Sequence, residues 1–272
     1  MVTDYNRLFD VTDKVVAIAG ATGILGAVFC KALAQAGAIV AVGGRNCEKT
    51  GKLVAEIDEQ YPGRAKAFNL DVSSEDSVKS WGKDLYEEFG KVDALINNAA
   101  FKSKKYFASL EEYDLADWQA VVDVNMTAIF LTVREIGSRM ARDGKGTIIN
   151  ISSIYGIAGP DQRIYEGSWY EDVGGAINTP LVYSATKGAV VSMTKYLATY
   201  WGDKGVRTNT VTPGGVSSGQ NEEFMKNYGN RVPLGRMAES HEIVGAIMYL
   251  VSDASSYVNG TNLVVDGGWT AW

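Results

Sequence analysis

A glycine-rich turn near the start of the chain limits the possible folds more than any other feature of the sequence. The apolar run Val15–Ala19 leads into Gly20-Ala21-Thr22-Gly23-Ile24-Leu25-Gly26, and apolar residues at helical spacing continue to Ala36. In a strand–turn–helix unit of this kind, glycine permits positive φ angles and lets the backbone approach a pyrophosphate closely. The helix start adds free N–H groups and the positive end of a dipole. The context therefore favours a dinucleotide-binding turn over an ordinary tight turn.

Short apolar runs alternate with helical stretches along the rest of the chain. The predicted strands cover 15–19, 38–42, 65–70, 92–96, 147–151, 206–211 and 262–265. The predicted helices cover 24–36, 47–60, 115–140, 183–201 and 240–250, and Ser73 is expected to cap one more that ends near Phe89. This alternation implies right-handed βαβ units and a parallel sheet. The sequence therefore predicts an α/β protein, a single doubly wound Rossmann domain over residues 1–272, with an inserted loop at 156–181.

The composition excludes several other classes of protein. Of the 272 residues, 46% are hydrophobic and 21% are charged, as in ordinary globular proteins. The formal net charge of -6 does not suit a nucleic-acid-binding surface. Cys30 and Cys47 have no CxxC spacing, and His241, expected to be solvated, is the single histidine. These counts argue against a metal site, a histidine-based hydrolase triad and a secreted disulfide fold.

Two further features bear on the location of the protein. The longest uncharged stretch, 15–30, contains three glycines and is shorter than the roughly 20 residues that span a bilayer. Charged residues at Asp4, Arg7 and Asp10 stand where a secretion signal needs an apolar core. We therefore expect a cytoplasmic protein with no membrane partner.

The end of the second predicted strand indicates which dinucleotide binds. An acidic residue at this place would bind the ribose 2′-hydroxyl of NAD. The chain instead reads Val42-Gly43-Gly44-Arg45-Asn46, without a carboxylate. The guanidinium of Arg45 could pair with a 2′-phosphate, which favours NADP(H) over NAD(H). The alternative is that Arg45 simply begins a solvated loop.

Several short motifs follow the predicted strands in order. They are the glycine turn, Asn97-Asn98-Ala99-Ala100, Val124-Asn125-Met126-Thr127, Ile151-Ser152-Ser153, Tyr183-Ser184-Ala185-Thr186-Lys187, Pro213-Gly214-Gly215 and Val265-Asp266-Gly267-Gly268. In these motifs and their order the chain resembles the classical short-chain dehydrogenase/reductase family over essentially its whole length. It departs from that family at Ala100, where glycine is usual, and in its glycine spacing, which is similar to the extended branch. Ser153 and Tyr183 are also unusually far apart, and the excess falls in 156–181.

The resemblance implies four catalytic residues, Asn125, Ser153, Tyr183 and Lys187. Tyr183 and Lys187 are four residues apart and so share one helix face. A nearby ammonium and a nicotinamide cation would lower the pKa of the phenol, which could then exchange a proton with the substrate oxygen. By resemblance, Ser153 holds that oxygen, Lys187 bonds the nicotinamide ribose and Asn125 holds a water. The alternatives are a surface helix pair for Tyr183 and Lys187, and a helix kink or cap for Asn125.

The predicted cofactor-binding residues come from the glycine turn, the second strand and the resemblance. They are Gly20, Thr22, Gly23, Ile24, Leu25, Gly26, Arg45, Asp71, Val72, Asn98, Ala99, Tyr183, Lys187, Pro213, Gly214 and Val216. Asn97 is expected beside them on the adenosine side. Asp71 could equally cap the helix that follows it.

The inserted loop supplies the predicted substrate residues, Gln162, Arg163 and Tyr165, with Trp169 and Tyr170 nearby. Aromatic rings with hydrogen-bonding groups suit sugars, and the guanidinium of Arg163 suits a carboxylate or phosphate. Lysines at 102, 104 and 105 could lie on the same side. The alternatives are a solvated charge run for the lysines and an oligomer contact for the loop.

These features predict an NADP(H)-dependent oxidoreductase that interconverts a secondary alcohol and a carbonyl on a sugar, sugar acid or sugar phosphate. The alternatives are a 3-oxoacyl-type reductase, a non-redox sugar epimerase or lyase, and a cofactor-sensing regulator. The resemblance implies a homodimer or homotetramer, and the tail Trp269-Thr270-Ala271-Trp272 could help to bury an interface.

Overall fold

The computed structural model describes residues 4–103, 105–169 and 177–272. Within these ranges seven strands form one parallel sheet in the order β3-β2-β1-β4-β5-β6-β7. The strands are β1 (Val15–Ala19), β2 (Ile39–Gly44), β3 (Ala65–Asn69), β4 (Ala94–Asn97), β5 (Gly146–Ile151), β6 (Val206–Pro213) and β7 (Asn262–Val265). The predicted α/β class and the doubly wound parallel sheet are confirmed.

Helices connect the strands and cover both faces of the sheet. They are α1 (Ile24–Gln35), α2 (Cys47–Asp58), α3 (Glu75–Phe89), α4 (Leu115–Val122), α5 (Ala128–Thr132), α6 (Ser138–Asp143), α7 (Leu181–Trp201), α8 (Glu222–Gly229) and α9 (Val244–Val251). Two π-helical turns, Asp123–Thr127 and Val133–Gly137, join α4, α5 and α6 into one continuous helical rod. In the part of the chain that the structure describes, no helix combines the length and the hydropathy needed to span a membrane.

The hydrophobic core consists of two layers, one on each face of the sheet. In one layer, Phe29 of α1 and Leu250 of α9 pack against the strands. In the other layer, Trp81 of α3, Met140 of α6 and Trp201 of α7 cover the opposite face. The central strands are buried on both sides, which is why they appear in the sequence as continuous apolar runs without alternation.

Apart from shifts of a few residues at element ends, the structure differs from the sequence predictions in a helix cap, in the interior of one helix and in one additional helix. Ser74, not Ser73, caps α3 by accepting a hydrogen bond from the backbone N–H of Ser77. Ser73 is unavailable, because its backbone N–H and hydroxyl both donate to the carboxylate of Asp71. The rod predicted as one regular helix contains the two π turns, and α8 was not predicted.

The inserted loop packs against α8 at the carboxyl edge of the sheet. Its short 3-10 turn, Gln162–Tyr165, places the ring of Tyr165 in a stack with Phe224 at 5.4 Å between centroids. Asn227 of α8 donates to the carbonyl of Glu166 at 2.9 Å. Loop and helix therefore form one wall above the ends of β5 and β6.

Candidate active site

A cleft of about 710 Å³ opens at the carboxyl ends of the strands. It lies where the strand order reverses between β1 and β4, the place at which doubly wound sheets bind ligands. The glycine turn, the strand ends and the start of α7 line it, and the inserted loop contributes Tyr165. The sequence motifs that are far apart along the chain therefore meet around one space.

The glycine turn forms one wall of this cleft. Gly20 has a φ of +80°, and a Cβ atom there would lie 2.6 Å from the backbone nitrogen of Ala99. A Cβ on Gly26 would collide with the carbonyl oxygen of Gly20, so this glycine lets α1 pack closely on the turn. The side-chain amide of Asn98 donates to that same carbonyl at 2.8 Å and holds the turn in place.

The start of α1 is open toward an anion. Gly23 is its N-cap and makes no side-chain capping hydrogen bond, and the first turn contains no acidic residue. Thr22, Ile24 and Leu25 line the cleft here together with Gly23. Backbone N–H groups at an uncapped helix start suit the pyrophosphate of a dinucleotide. The turn therefore fits the group that the sequence predicts.

The adenosine end of the cleft contains two cations. Arg45 follows β2 and lies over the ring of Phe101, with its guanidinium carbon 5.9 Å from the ring centroid. Asn46 caps α2 by accepting from the backbone N–H of Lys49 at 2.9 Å, and Lys49 also lines the cleft. The residues that line the cleft within the described ranges include no carboxylate. Sequence analysis missed Lys49, although its place one turn after a capping asparagine puts it beside Arg45.

Several predicted cofactor residues do line the cleft, and others lie behind it. Val72, Asn98, Ala99, Pro213, Gly214 and Val216 are among the lining residues. Asp71 is not, because its carboxylate is occupied by Ser73. Asn97 is buried in the sheet, where its amide donates to Asn150 at 2.9 Å, so the expectation that it borders the adenosine side is wrong.

The predicted catalytic side chains meet where β5 ends and α7 begins. Ser153 and Tyr183 share a hydrogen bond between their hydroxyl groups. Lys187 lies one turn further along α7, and its ammonium donates to the carbonyl of Ile151 at 2.8 Å. All three side chains line the cleft. Tyr183 and Lys187 are therefore not a surface pair on an exposed helix face.

Burial shifts the pKa values of this pair in opposite directions. It raises the pKa of the Tyr183 phenol, and the hydrogen bond from Ser153 lowers it in part. The lowered phenol pKa predicted from the sequence is therefore not found for the chain by itself. Burial lowers the pKa of Lys187 to about 8, because the residue is only 4% exposed and the hydrogen bond of its ammonium to Ile151 is to a neutral carbonyl.

Asn125 lies beneath the cleft, not in its lining. It belongs to the π turn Asp123–Thr127, a rare geometry that is frequent at functional sites. Its side-chain oxygen accepts from the backbone N–H of Phe101 at 3.0 Å, and its amide donates to Thr186 at 3.4 Å. The side chain therefore ties the helical rod to the segment after β4 and to the start of α7.

The substrate end of the cleft is aromatic. Tyr155, Tyr165, Phe224, Tyr228 and Met237 line it, with Gln220 nearby. Of these, sequence analysis identified only Tyr165. The others belong to the unpredicted α8 or to short loops, and their only sequence signal is a cluster of aromatic residues after the catalytic motifs.

The expected cationic substrate residues lie elsewhere. The guanidinium of Arg163 is held by Asp161 at 2.8 Å, and Arg163 is not among the residues that line the cleft. Gln162 exchanges two hydrogen bonds of 3.1 Å with the backbone of Thr179. Lys102 lies over the ring of Phe107, and Lys105 pairs with Asp114. Lys104 and Tyr170 lie outside the described residues.

Comparison with known proteins agrees with this geometry. A model of the family described as enoyl-(acyl carrier protein) reductase matches residues 18–270. The chain is 32% identical to a D-threitol dehydrogenase of Mycolicibacterium smegmatis over 270 residues, 96% of this chain and 95% of that protein. It is 31% identical to a 3-oxoacyl-[acyl-carrier-protein] reductase of Thermotoga maritima over 260 residues, 94% of this chain and 97% of that protein.

Solved structures show the same fold over nearly the whole chain. A gluconate 5-dehydrogenase from Burkholderia cenocepacia, in complex with NADP and tartrate, superposes with a TM-score of 0.86 at 28% identity, covering 97% of this chain and 98% of that one. A short-chain dehydrogenase from Leptospira borgpetersenii with bound NAD+ superposes with a TM-score of 0.84 at 30% identity, covering 99% of this chain and 97% of that one. Solved structures with this fold therefore include one with NADP bound and one with NAD+ bound.

Proposed function

The chain belongs to the short-chain dehydrogenase/reductase family of oxidoreductases, and on that premise we propose that it uses NADP(H) to interconvert a secondary alcohol and a carbonyl on an uncharged sugar or sugar alcohol. One observation carries the proposal. A single cleft joins Ser153, Tyr183 and Lys187 at one end to Arg45 and Lys49 at the other.

The preference for NADP(H) rests on the charges at the adenosine end. Arg45 and Lys49 line the cleft there, and within the described ranges no lining residue supplies a carboxylate for a ribose 2′-hydroxyl. Guanidinium and ammonium groups are the usual partners of a phosphate. The pair therefore fits the additional 2′-phosphate of NADP(H).

The catalytic end can move a proton at the substrate oxygen. When bound, the nicotinamide would accept hydride from the alcohol carbon or return it to the carbonyl carbon. During oxidation, Tyr183 as a phenolate takes the hydroxyl proton, and during reduction its phenol returns that proton. The single hydroxyl proton of Ser153 serves two acceptors in turn: without substrate it is donated to Tyr183, which favours the phenolate against the effect of burial, and with substrate bound it is donated to the reacting oxygen.

Lys187 and Asn125 support this chemistry in different ways. Among the described residues the Lys187 ammonium makes one hydrogen bond, to Ile151, so two N–H groups are left for a ribose hydroxyl. Asn125 acts as a positioning residue, because it fixes Phe101 and Thr186 on either side of the site.

The uncharged character of the substrate follows from the aromatic end of the cleft. Apart from Lys187, the described residues that line that end carry no charge. Arg163, which a sugar acid or phosphate would need, is already paired with Asp161. Phenol hydroxyl groups between aromatic rings suit the hydroxyl groups and the C–H faces of a sugar or polyol.

A 3-oxoacyl reductase is the second candidate. The relative from Thermotoga maritima has that name, and the apolar walls formed by Phe224 and Met237 could hold an acyl chain. This function places the same Ser153, Tyr183 and Lys187 in the same roles, so only the substrate separates the two candidates.

Turnover assays test the proposed function. Formation of reduced cofactor is followed with NADP+ or NAD+ against neutral polyols and gluconate, and consumption of NADPH is followed with acetoacetyl-CoA. We expect NADP+-linked oxidation of neutral polyols. Tyr183→Phe should lower kcat by at least about 100-fold, because proton transfer by a positioned side chain contributes that much.

Binding of NADPH, measured by fluorescence, should be unchanged in Tyr183→Phe. Tyr257→Phe, which removes the hydroxyl group of a fully exposed tyrosine far from the catalytic residues in the sequence, is the matched control and should behave as the unmodified protein. Turnover that survives in Tyr183→Phe would exclude the mechanism, and turnover confined to acetoacetyl-CoA would establish the second candidate.

Exposed apolar side chains support a homodimer or homotetramer. Leu115 and Phe130 on the helical rod and Tyr196 and Tyr200 on α7 are exposed in the isolated chain. In the C-terminal tail, Trp269 is buried against Tyr228 within the chain itself, whereas Trp272 is exposed and is left for an interface.

A further inference from the structure

The hydroxyl group of Tyr155 has no hydrogen-bond partner among the described residues, although it is buried. The side chain lines the cleft two positions after Ser153. Buried hydroxyl groups in native proteins are nearly always paired, because leaving one unpaired costs about 1–3 kcal/mol. Because this oxygen is closed to water, the cleft wall must open slightly at Tyr155 before a ligand can pair with it, and that pairing would satisfy the hydroxyl group.

The other phenols at this end of the cleft are already engaged. The hydroxyl of Tyr165 shares a hydrogen bond with Thr179 at 2.8 Å. Tyr228 accepts from the backbone N–H of Gly215, and Tyr183 bonds with Ser153 as part of the catalytic set. Tyr155 differs from its neighbours in being unpaired within the described structure.

The position of Tyr155 is fixed relative to the catalytic serine. Its backbone N–H donates to the Ser153 hydroxyl oxygen at 3.3 Å. Its ring meets Trp269 edge to face, with the centroids 6.3 Å apart, and Trp269 in turn stacks on Tyr228 at 4.5 Å. Side chains held by packing in this way bind a substrate group without a large loss of entropy.

The surroundings indicate what kind of group Tyr155 can bind. Burial raises the pKa of the Tyr155 phenol, so it stays neutral and can both donate and accept. Its aromatic neighbours Tyr165, Tyr228 and Trp269 offer no charge for an ionic substrate. A neutral hydroxyl group matches both properties.

We propose that the hydroxyl of Tyr155 binds a second hydroxyl group of the substrate, so that this residue selects polyols over mono-alcohols. This inference rests on the proposed function, and it names the substrate class of the same site as neutral polyols. Ser153 and Tyr183 act on the reacting oxygen of the substrate, whereas Tyr155 forms a hydrogen bond with another hydroxyl oxygen of that substrate.

The variant Tyr155→Phe tests the inference, because it keeps the ring that packs on Trp269 and removes only the hydroxyl group. Three alcohols serve as probes. The first is threitol, the second is the vicinal diol of cyclopentane, and the third is cyclopentanol, which lacks one hydroxyl group of that diol. We expect the unmodified protein to prefer the diol. In the variant, kcat/KM for threitol and the diol should fall by about three- to tenfold, while kcat/KM for cyclopentanol stays the same.

Tyr165→Phe is the matched control, because it removes a phenol hydroxyl that Thr179 already engages. It should change kcat/KM for the diol and for cyclopentanol by the same factor. NADPH binding and the urea denaturation midpoint show whether each variant is folded.

The possible outcomes separate the two proposals. An equal effect of Tyr155→Phe on diol and mono-alcohol, or an unmodified protein without preference for the diol, overturns the role of Tyr155 and leaves the dehydrogenase activity standing. If the unmodified protein binds NADPH but turns over neither these three alcohols nor the neutral polyols of the earlier assay, the proposed function fails and this inference fails with it.

Discussion

At the scale of single residues, two cations dominate the adenosine end of the cleft. Arg45 is held over Phe101, and Lys49 is placed beside it by the capping of α2. Both side chains are exposed to water, so their interaction with a phosphate is screened but accessible. Because a dianionic 2′-phosphate needs more than one positive partner, we expect the two side chains to act together.

The first residue-scale prediction is that Arg45→Asp reverses the cofactor preference. The substitution removes a charge-assisted hydrogen bond and supplies the carboxylate that a ribose 2′-hydroxyl prefers. We expect kcat/KM for NADP+ to fall by about 10- to 100-fold and that for NAD+ to stay the same or rise. Lys49→Ala should lower kcat/KM for NADP+ by a smaller factor and leave kcat/KM for NAD+ unchanged. Lys52→Ala, an exposed change that does not touch the cleft, is the control, and an unchanged NADP+/NAD+ ratio in Arg45→Asp would contradict the assignment.

At the scale of elements, the contact between α1 and the glycine turn decides whether the phosphate site forms. A methyl group at Gly26 would collide with the backbone of Gly20 and Ala21, which no side-chain rotation can relieve. The helix must then move away from the turn, and its N–H groups move with it. Gly51 in α2 is the opposite case, since a Cβ there would meet nothing within 4 Å.

We therefore predict opposite effects of one chemical change at two helical glycines. Gly26→Ala should lower the free energy of unfolding by about 1–3 kcal/mol and weaken NADPH binding, because the backbone must shift. Gly51→Ala should raise the free energy of unfolding by about 0.5–1 kcal/mol, because alanine restricts the unfolded chain and fits the helix. Urea denaturation followed by circular dichroism measures both. A Gly26→Ala protein as stable as the unmodified one would show that α1 does not depend on this contact.

The same elements show what the sequence can and cannot predict. The strands were predictable because burial on both faces demands unbroken apolar runs. The helix α8 could not be predicted, because only three of its eight residues, Phe224, Met225 and Tyr228, are apolar or aromatic, and the ring that stacks on Phe224, Tyr165, lies in a distant loop. The π turn at Asn125 also depends on a distant group, the backbone N–H of Phe101.

The candidate site follows the same rule. The spacing of Tyr183 and Lys187 fixes their relation within one helix, so the pair could be found from the sequence. The proposed role of Tyr155 could not be found from the sequence. It depends on which of four neighbouring tyrosine hydroxyl groups has no hydrogen-bond partner among the described residues, and only the folded structure shows this. Arg163 was misjudged for a local reason: Asp161, two residues earlier, already satisfies its guanidinium.

At the scale of the whole molecule, the catalytic site places a cost on folding. Lys187 holds a positive charge in an interior where, within the described parts of the chain, its hydrogen-bond acceptor is the neutral carbonyl of Ile151. Its pKa of about 8 in the folded chain, against an ordinary value of 10.5, means that the folded state binds this proton less tightly than the unfolded state. Under the proposed function, the protein therefore keeps this destabilising cation for the sake of its chemistry.

Linkage gives the sign of the resulting pH dependence. Below about pH 8 both states hold the proton, so the full cost of burying the cation is present. Between about pH 8 and 10.5 the unfolded state holds the proton and the folded state has lost it, so this contribution makes the protein more stable as the pH rises. The contribution of Lys187 thus opposes that of Cys30, whose pKa burial raises.

We therefore predict that Lys187→Met abolishes turnover and yet stabilises the protein near neutral pH. The gain in the free energy of unfolding should reach at most about 3 kcal/mol, less the hydrogen bond to Ile151 that is lost. The difference between variant and unmodified protein should shrink as the pH is raised from about 7 to about 9.5, because the cation that the variant lacks is then neutralised in the unmodified protein as well. Urea denaturation at both pH values measures the difference, in which the contributions of Cys30 and the buried tyrosines cancel. A variant that is less stable at neutral pH, or a difference that does not change with pH, would show that the Lys187 ammonium is stabilised by the fold and not tolerated for the sake of catalysis.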